Sequence, residues 1–91
     1  MATARSIRAD ELAELLELYE VLSSRNESLD PADPSLRHEF DRMREDDSLK
    51  IVAGEHDGRV VATCVVSVTR NLTHDVQPWA VMENVVTHED Y

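Results

Sequence analysis

The sequence predicts an α+β domain in which two helices come before an antiparallel sheet, with the elements running β-α-α-β-β-β. Three observations carry this expectation. Apolar residues recur at helical spacing only in the first half of the chain, over residues 12–22 and 36–43. The second half changes to short runs rich in Val, a residue that fits a pleated surface. Between two of those runs stands Asp57-Gly58, a pair suited to the positive φ angles of a two-residue hairpin turn. Helices gathered ahead of the strands exclude a repeating βαβ chain and its parallel sheet.

Taken in order, residues 5–8 are expected to form a short first strand with Ile7 as its one large apolar side chain. Asp10 is placed to cap the first helix, with Glu11 and Glu14 in the first turn, where the helix dipole favours acid. Leu12, Leu15, Leu16, Tyr19 and Leu22 make its apolar stripe, and Glu11, Glu14, Glu17 and Glu20 track the other side as a solvated acidic face. Residues 23–34 read as loop. Asp33-Pro34 starts a second helix, since Pro at the first helical position gives up no needed N–H. Leu36, Phe40 and Met43 form its sparser stripe, and Asp46, Asp47 and Ser48 end it. Residues 49–53 make a short strand, 54–58 a hairpin turn, and 59–69 a long strand. This long strand is apolar on both parities: Val60, Ala62, Cys64, Val66 and Val68 against Val61 and Val65. Such a strand is expected to be central and covered on both faces. Pro78 closes a polar stretch because it cannot donate to a ladder, and a last strand runs from Trp79 to about Thr87.

Composition narrows the class. Ninety-one residues with 42% apolar content suit one folded domain. A single cysteine, Cys64, excludes an internal disulfide and favours a reducing, cytoplasmic setting. No secretory h-region and no apolar run of about 20 residues is visible, so no membrane association is expected. The formal charge of −10 argues against nucleic acid and anionic lipid, which want a basic face. Nineteen acidic residues accompany eight Arg and one Lys, Lys50. Two explanations stay open for that bias: adaptation to high salt, or an ordinary acidic surface.

Glu83 and Asn84 are the leading site candidates, because they interrupt a strand that is otherwise apolar from Trp79 to Val86. A buried carboxylate is costly unless paired, and desolvation raises its pKa. Such a group suits binding an ammonium or accepting its proton. The alternative is that this part of the strand faces solvent or that Glu83 pairs with an Arg. Cys64 reads as a buried structural thiol, and Trp79 as a packing residue at the start of the strand. His38, His56, His74 and His88 share no metal spacing, so no metal site is expected.

The stretch Met82-Glu83-Asn84-Val85-Val86-Thr87-His88-Glu89-Asp90-Tyr91 resembles the fourth strand of GNAT-family N-acetyltransferases and the turn after it. The order of elements also matches that family's first strand, two helices, β2-β3 hairpin and fourth strand. The resemblance implies the N-terminal half of a GNAT domain over residues 1–91, its mostly antiparallel sheet packed on two helices and truncated after the fourth strand. The glycine-rich loop that cradles the acetyl-CoA pyrophosphate would follow Tyr91 and be missing, leaving the chain inactive alone. The implied activity is acetyl-CoA-dependent N-acetylation of a primary amine, small molecule or peptide, by direct transfer. Glu83 would bind or deprotonate the amine, Glu83, Asn84 and Val85 would line the acceptor site, and Val86 and Thr87 would offer backbone contacts to the cosubstrate. Tyr91 is out of place for the general acid that the family often uses. A last strand with a bare edge would pair with another copy, giving a homodimer or other self-association. A non-catalytic binding module, or one that senses acyl-CoA, is the alternative.

Overall fold

The computed structural model describes residues 2–22, 29–70, 72, 78–88 and 90. Its elements are β1 (Ala2–Ser6), a 3-10 turn (Ala9–Glu11), α1 (Leu12–Leu22), α2 (Pro34–Glu45), β2 (Leu49–His56), β3 (Arg59–Thr69) and β4 (Trp79–Thr87). The expected order is therefore the observed one. The four strands form one sheet in the order β1-β2-β3-β4, with every neighbouring pair antiparallel. Asp57 at φ 53° and Gly58 at φ 79° make the tight turn between β2 and β3, both central residues having the positive φ that such a hairpin requires.

Two starts and one end differ from expectation: β2 continues to His56, three residues past the expected end, so that only Asp57 and Gly58 form the turn. The first strand is Ala2–Ser6 rather than residues 5–8, because its pairing with β2 runs from Ala2–His56 to Ser6–Val52. Ala2, Thr3 and Ala4 are too small or polar to leave a hydrophobic period in the sequence. Ile7 lies just past the strand, though its N–H still donates to the Ile51 carbonyl at 2.8 Å. The first helix is not capped by Asp10. The chain makes a 3-10 turn there, and Glu11 Oε1 accepts the Arg8 N–H at 2.8 Å.

The helix interiors follow from their side chains. On α1, Leu12, Leu15, Leu16 and Leu18 are all buried. Leu18 is the most enclosed, at 1% exposure, although it lies off the predicted stripe. The buried face is thus wider than one stripe, since α1 lies across both β3 and β4. On α2, Asp33 Oδ1 accepts from the Ser35 N–H at 2.9 Å and its hydroxyl at 2.8 Å, as the Asp-Pro start predicts. Phe40 is the buried anchor of α2, with the Arg37 and Arg44 guanidiniums 5.5 and 5.7 Å from its ring centre.

Ile51, Ala53, Val65 and Val86 meet the α1 leucines and Phe40 in one core cluster. Both helices therefore cover the same face of the sheet. Among the described residues no helix covers the other face, where Val52, Ala62 and Cys64 are only partly buried. That corrects the expectation of cover on both sides of β3. Its double-parity pattern has a different cause: a register shift at Gly54/Glu55 leaves Val61 without a β2 partner, so Val60 and Val61 are both buried. The uncovered face is also close-set. A Cβ on Gly54 would stand 3.1 Å from the Ala62 Cβ, so a larger residue at either position would push the strands apart.

Candidate functional site: the bulged edge strand

β4 is an outer strand, with β3 on one side and no described strand on the other. Eight of its nine residues are exposed and only Val86 is buried. Exposures of 58% at Trp79, 64% at Met82 and 59% at Val85 leave large apolar groups in solvent. Trp79 stands opposite Thr69 at the exposed start of the strand, which corrects its reading as a packing residue.

The strand is irregular where the candidates sit. Thr63 and Val65 on β3 are two residues apart, yet their partners Val86 and Glu83 are three apart, so β4 carries one extra residue. Asn84 lies inside that step at φ 51°, the left-handed region that few residues other than glycine tolerate. No turn requires it there, in contrast to Asp57. On α1, burial raises the Tyr19 pKa, against a smaller opposing effect of the nearby Asn84 side chain.

The extra residue distributes the predicted site residues over two faces. Glu83 stands opposite Val65, which puts it on the face carrying α1. It is exposed, and the solvent-facing alternative describes its position. Val85 and Met82 border a shallow, mostly apolar cavity of about 240 Å³ on the opposite face, with Gly54, Ala62 and Cys64 as its floor. Cys64 is thus half-buried in a cavity wall rather than enclosed. Val86 anchors the strand in the core. The His88 N–H donates to the Val61 carbonyl at 2.7 Å, and strand alternation then turns the Val86 peptide groups toward β3 and those of Thr87 toward the free edge. His88 Nδ1 accepts from the Asp90 N–H at 3.2 Å, closing the end of the strand.

A second charged cluster was not foreseen as one. The Arg5 guanidinium donates to both Glu11 carboxylate oxygens at 2.7 Å and to Glu55 Oε1 at 2.8 and 3.1 Å. Bonding to Arg5 holds the Glu11 carboxyl below its ordinary value, against a smaller opposing effect of burial. Glu14 Oε2 accepts the Val60 N–H at 2.8 Å, and Glu17 Oε1 pairs with Arg59 at 3.4 Å. The expected solvated acidic face of α1 is therefore in good part a set of ties to the sheet. The spacing of Arg5 to Glu11 gives no warning of this, because Glu55 arrives from residues far along the chain.

Among the described residues no group of three His, Cys, Asp or Glu side chains is placed to hold a metal; His74 lies outside them. No helix of the described residues is long and apolar enough to cross a membrane.

Comparison with solved structures supplies the wider frame. A candidate acetyltransferase from Agrobacterium tumefaciens superposes with a TM-score of 0.88 at 33% identity, over 97% of this chain and 60% of that one. Glucosamine-6-phosphate N-acetyltransferase from Arabidopsis thaliana gives 0.76 at 17% identity, over 99% of this chain and 62% of that one. A predicted acetyltransferase from Clostridium acetobutylicum, solved with acetyl-CoA, gives 0.65 at 14%, with coverages of 99% and 62%. The chain thus spans about 60% of the length of these structures. No family model matches the chain, and no curated protein matches its sequence.

Proposed function

Since this chain has the fold of the N-terminal half of a GNAT acetyltransferase, we propose that it serves in an acetyl-CoA-dependent N-acetyltransferase that acts on a primary amine by direct transfer. One observation carries the reading: an exposed carboxylate, Glu83, stands beside a bulge in an outer strand whose edge is open. The likeness to acetyltransferases, at 33% identity in one case, supports it.

The residues present suit an extended acyl thioester arm. The outward N–H and C=O of Thr87 could pair with an amide-bearing chain laid along β4, in the manner of an added strand. Val86, locked in the core, fixes that peptide unit in place. Met82 and Val85 offer apolar surface on the uncovered face beside it. Acetyl-CoA supplies the acetyl thioester. Glu83 holds the acceptor ammonium and takes its proton, directly or through a water, so that the free amine nitrogen can attack the acetyl carbonyl; as the C–S bond breaks, the CoA sulfur leaves and takes up the second amine proton, giving free thiol and the amide. Asn84 and Val85 flank that position on either face. The acceptor is a small-molecule or peptide amine.

The test is acetyl transfer by the full-length gene product to a panel of amines: sugars, polyamines, amino acids and peptide N-termini. Release of free CoA thiol that depends on one class of amine is expected. Acetyl-CoA binding without thiol release across the panel would favour the non-catalytic sensor instead.

A further inference from the structure

Strand alternation sorts the first half of β4 into two rows. Val65 belongs to the core beneath the helices, and Ser67 and Thr69, two and four residues further along β3, point to that same side. Their partners across the ladder are Glu83, Val81 and Trp79, which therefore form one row on the face that carries α1. The row stays open to solvent toward its far end, where Val81 is 41% and Trp79 58% exposed. There Thr69, Arg70, Trp79 and Val81 border a cavity of about 260 Å³. Read along the strand, a guanidinium and an indole come first, then Val81, then the Glu83 carboxylate. Val86 and Thr87 lie beyond Glu83, on the other side of the bulge.

We propose that Trp79 and Val81 form a specificity subsite for the acceptor: they take the aromatic or apolar body of an amine with a single positive charge, while Glu83 takes its ammonium. The proposal rests on the acetyltransferase reading, in which Glu83 is assigned to the amine. Because the three side chains share a face, one extended ligand touches all of them. Trp79 and Glu83 are four residues apart, roughly 13 Å along a strand at about 3.3 Å per residue. A chain of several carbons must therefore join the ring to the nitrogen. An indole attracts a second ring by offset or edge contact beyond what the covered area alone gives. Arg70 decides the charge of that end of the ligand. A polyamine laid along the row would bring a second ammonium up to the guanidinium, whereas a neutral ring meets no such repulsion. The cosubstrate does not compete for this space: Val86 and Thr87 follow Glu83 in the strand, and Val81 and Trp79 precede it.

The experiment gives the full-length gene product phenylalkylamines of increasing spacer length, n-butylamine and spermidine. For the phenylalkylamines kcat/KM should rise with spacer length and exceed that for n-butylamine by about tenfold or more, with spermidine no better than n-butylamine. Trp79→Ala should lower the ratio of the preferred phenylalkylamine to n-butylamine by about tenfold, through KM. That ratio does not depend on how much of the variant is folded. Arg70→Ala should raise spermidine relative to n-butylamine, and an unchanged ratio would overturn the charge requirement. A Trp79→Ala loss equal for all the amines would overturn the subsite, as would a wild type that prefers spermidine to every phenylalkylamine. Trp79 is the one tryptophan of the 91 residues, so it also reports binding without turnover. Its fluorescence should change saturably with the preferred phenylalkylamine, and Trp79→Leu should remove that change. If no amine is acetylated, the acetyltransferase reading fails. A saturable Trp79 signal would then still support the subsite, and its absence would overturn it.

Discussion

The two ends of the sheet are built on opposite terms. At the β1 end, Arg5 is tied to Glu11 and Glu55 by four hydrogen bonds at 2.7–3.1 Å, and the Glu11 side chain is only 8% exposed. At the β4 end, one residue of nine is buried, the register slips, and a carboxylate stands in solvent. The first arrangement uses charge to fasten secondary structure together. The second leaves charge and backbone available. Both regions contain a glutamate in an apolar context, so residue type does not tell them apart; what each glutamate meets does.

The largest expected effect is therefore at the fastened end. Glu11→Ala leaves the Arg5 guanidinium with half its partners and should cost about 3 kcal/mol, whereas Glu83→Ala should change stability by less than about 0.5 kcal/mol. Urea denaturation of the two variants measures the contrast, and equal losses would break it. Leu18→Ala, at the most enclosed side chain, should cost about 2–3 kcal/mol in the same assay.

The fastened end should also be the acid-sensitive one. The Glu11 carboxyl titrates lower in the folded chain than in the unfolded one. Its stabilisation is hence fully present above the unfolded carboxyl pKa and is lost as pH falls through the lower folded value. Between neutral pH and about pH 3, the wild type should lose more stability than Glu11→Gln. Parallel losses in the two would show that the Arg5 cluster does not set the acid limit.

Smaller effects sharpen the picture of β4. Asn84→Gly should be within about 0.5 kcal/mol of wild type, while Asn84→Val, a branched residue at positive φ, should cost about 1–2 kcal/mol. The exposed Trp79, Met82 and Val85 on an open edge also lead us to propose that the 91-residue chain self-associates through β4. Light scattering should show mass rising with concentration, and Met82→Lys should restore the monomer. A wild-type chain that stays monomeric at high concentration would refute that pairing.

How much of this was legible in the sequence depends on the range of the interaction. The helix start at Asp33-Pro34, the Asp57-Gly58 turn and the bounds of β3 are decided by residues close together in the chain, and each is read correctly. The fastening of Glu11 is not, because Glu55 is brought beside it by the pairing of β1 with β2. Nor is the bulge in β4. Glu83-Asn84 marks the right place by breaking the apolar run, and leaves open a buried carboxylate or a solvent-facing one; the structural content of the break, an extra residue and a positive φ, has no local signature.

The most direct measurement of the central claim is Glu83→Gln in the full-length gene product, comparing acetyl-transfer turnover with acetyl-CoA affinity. Loss of a general base should lower turnover by about 10²-fold or more while leaving acetyl-CoA affinity within about twofold, since Glu83 is assigned to the amine rather than to the cosubstrate. Turnover equal to that of the wild type would contradict the role given to Glu83.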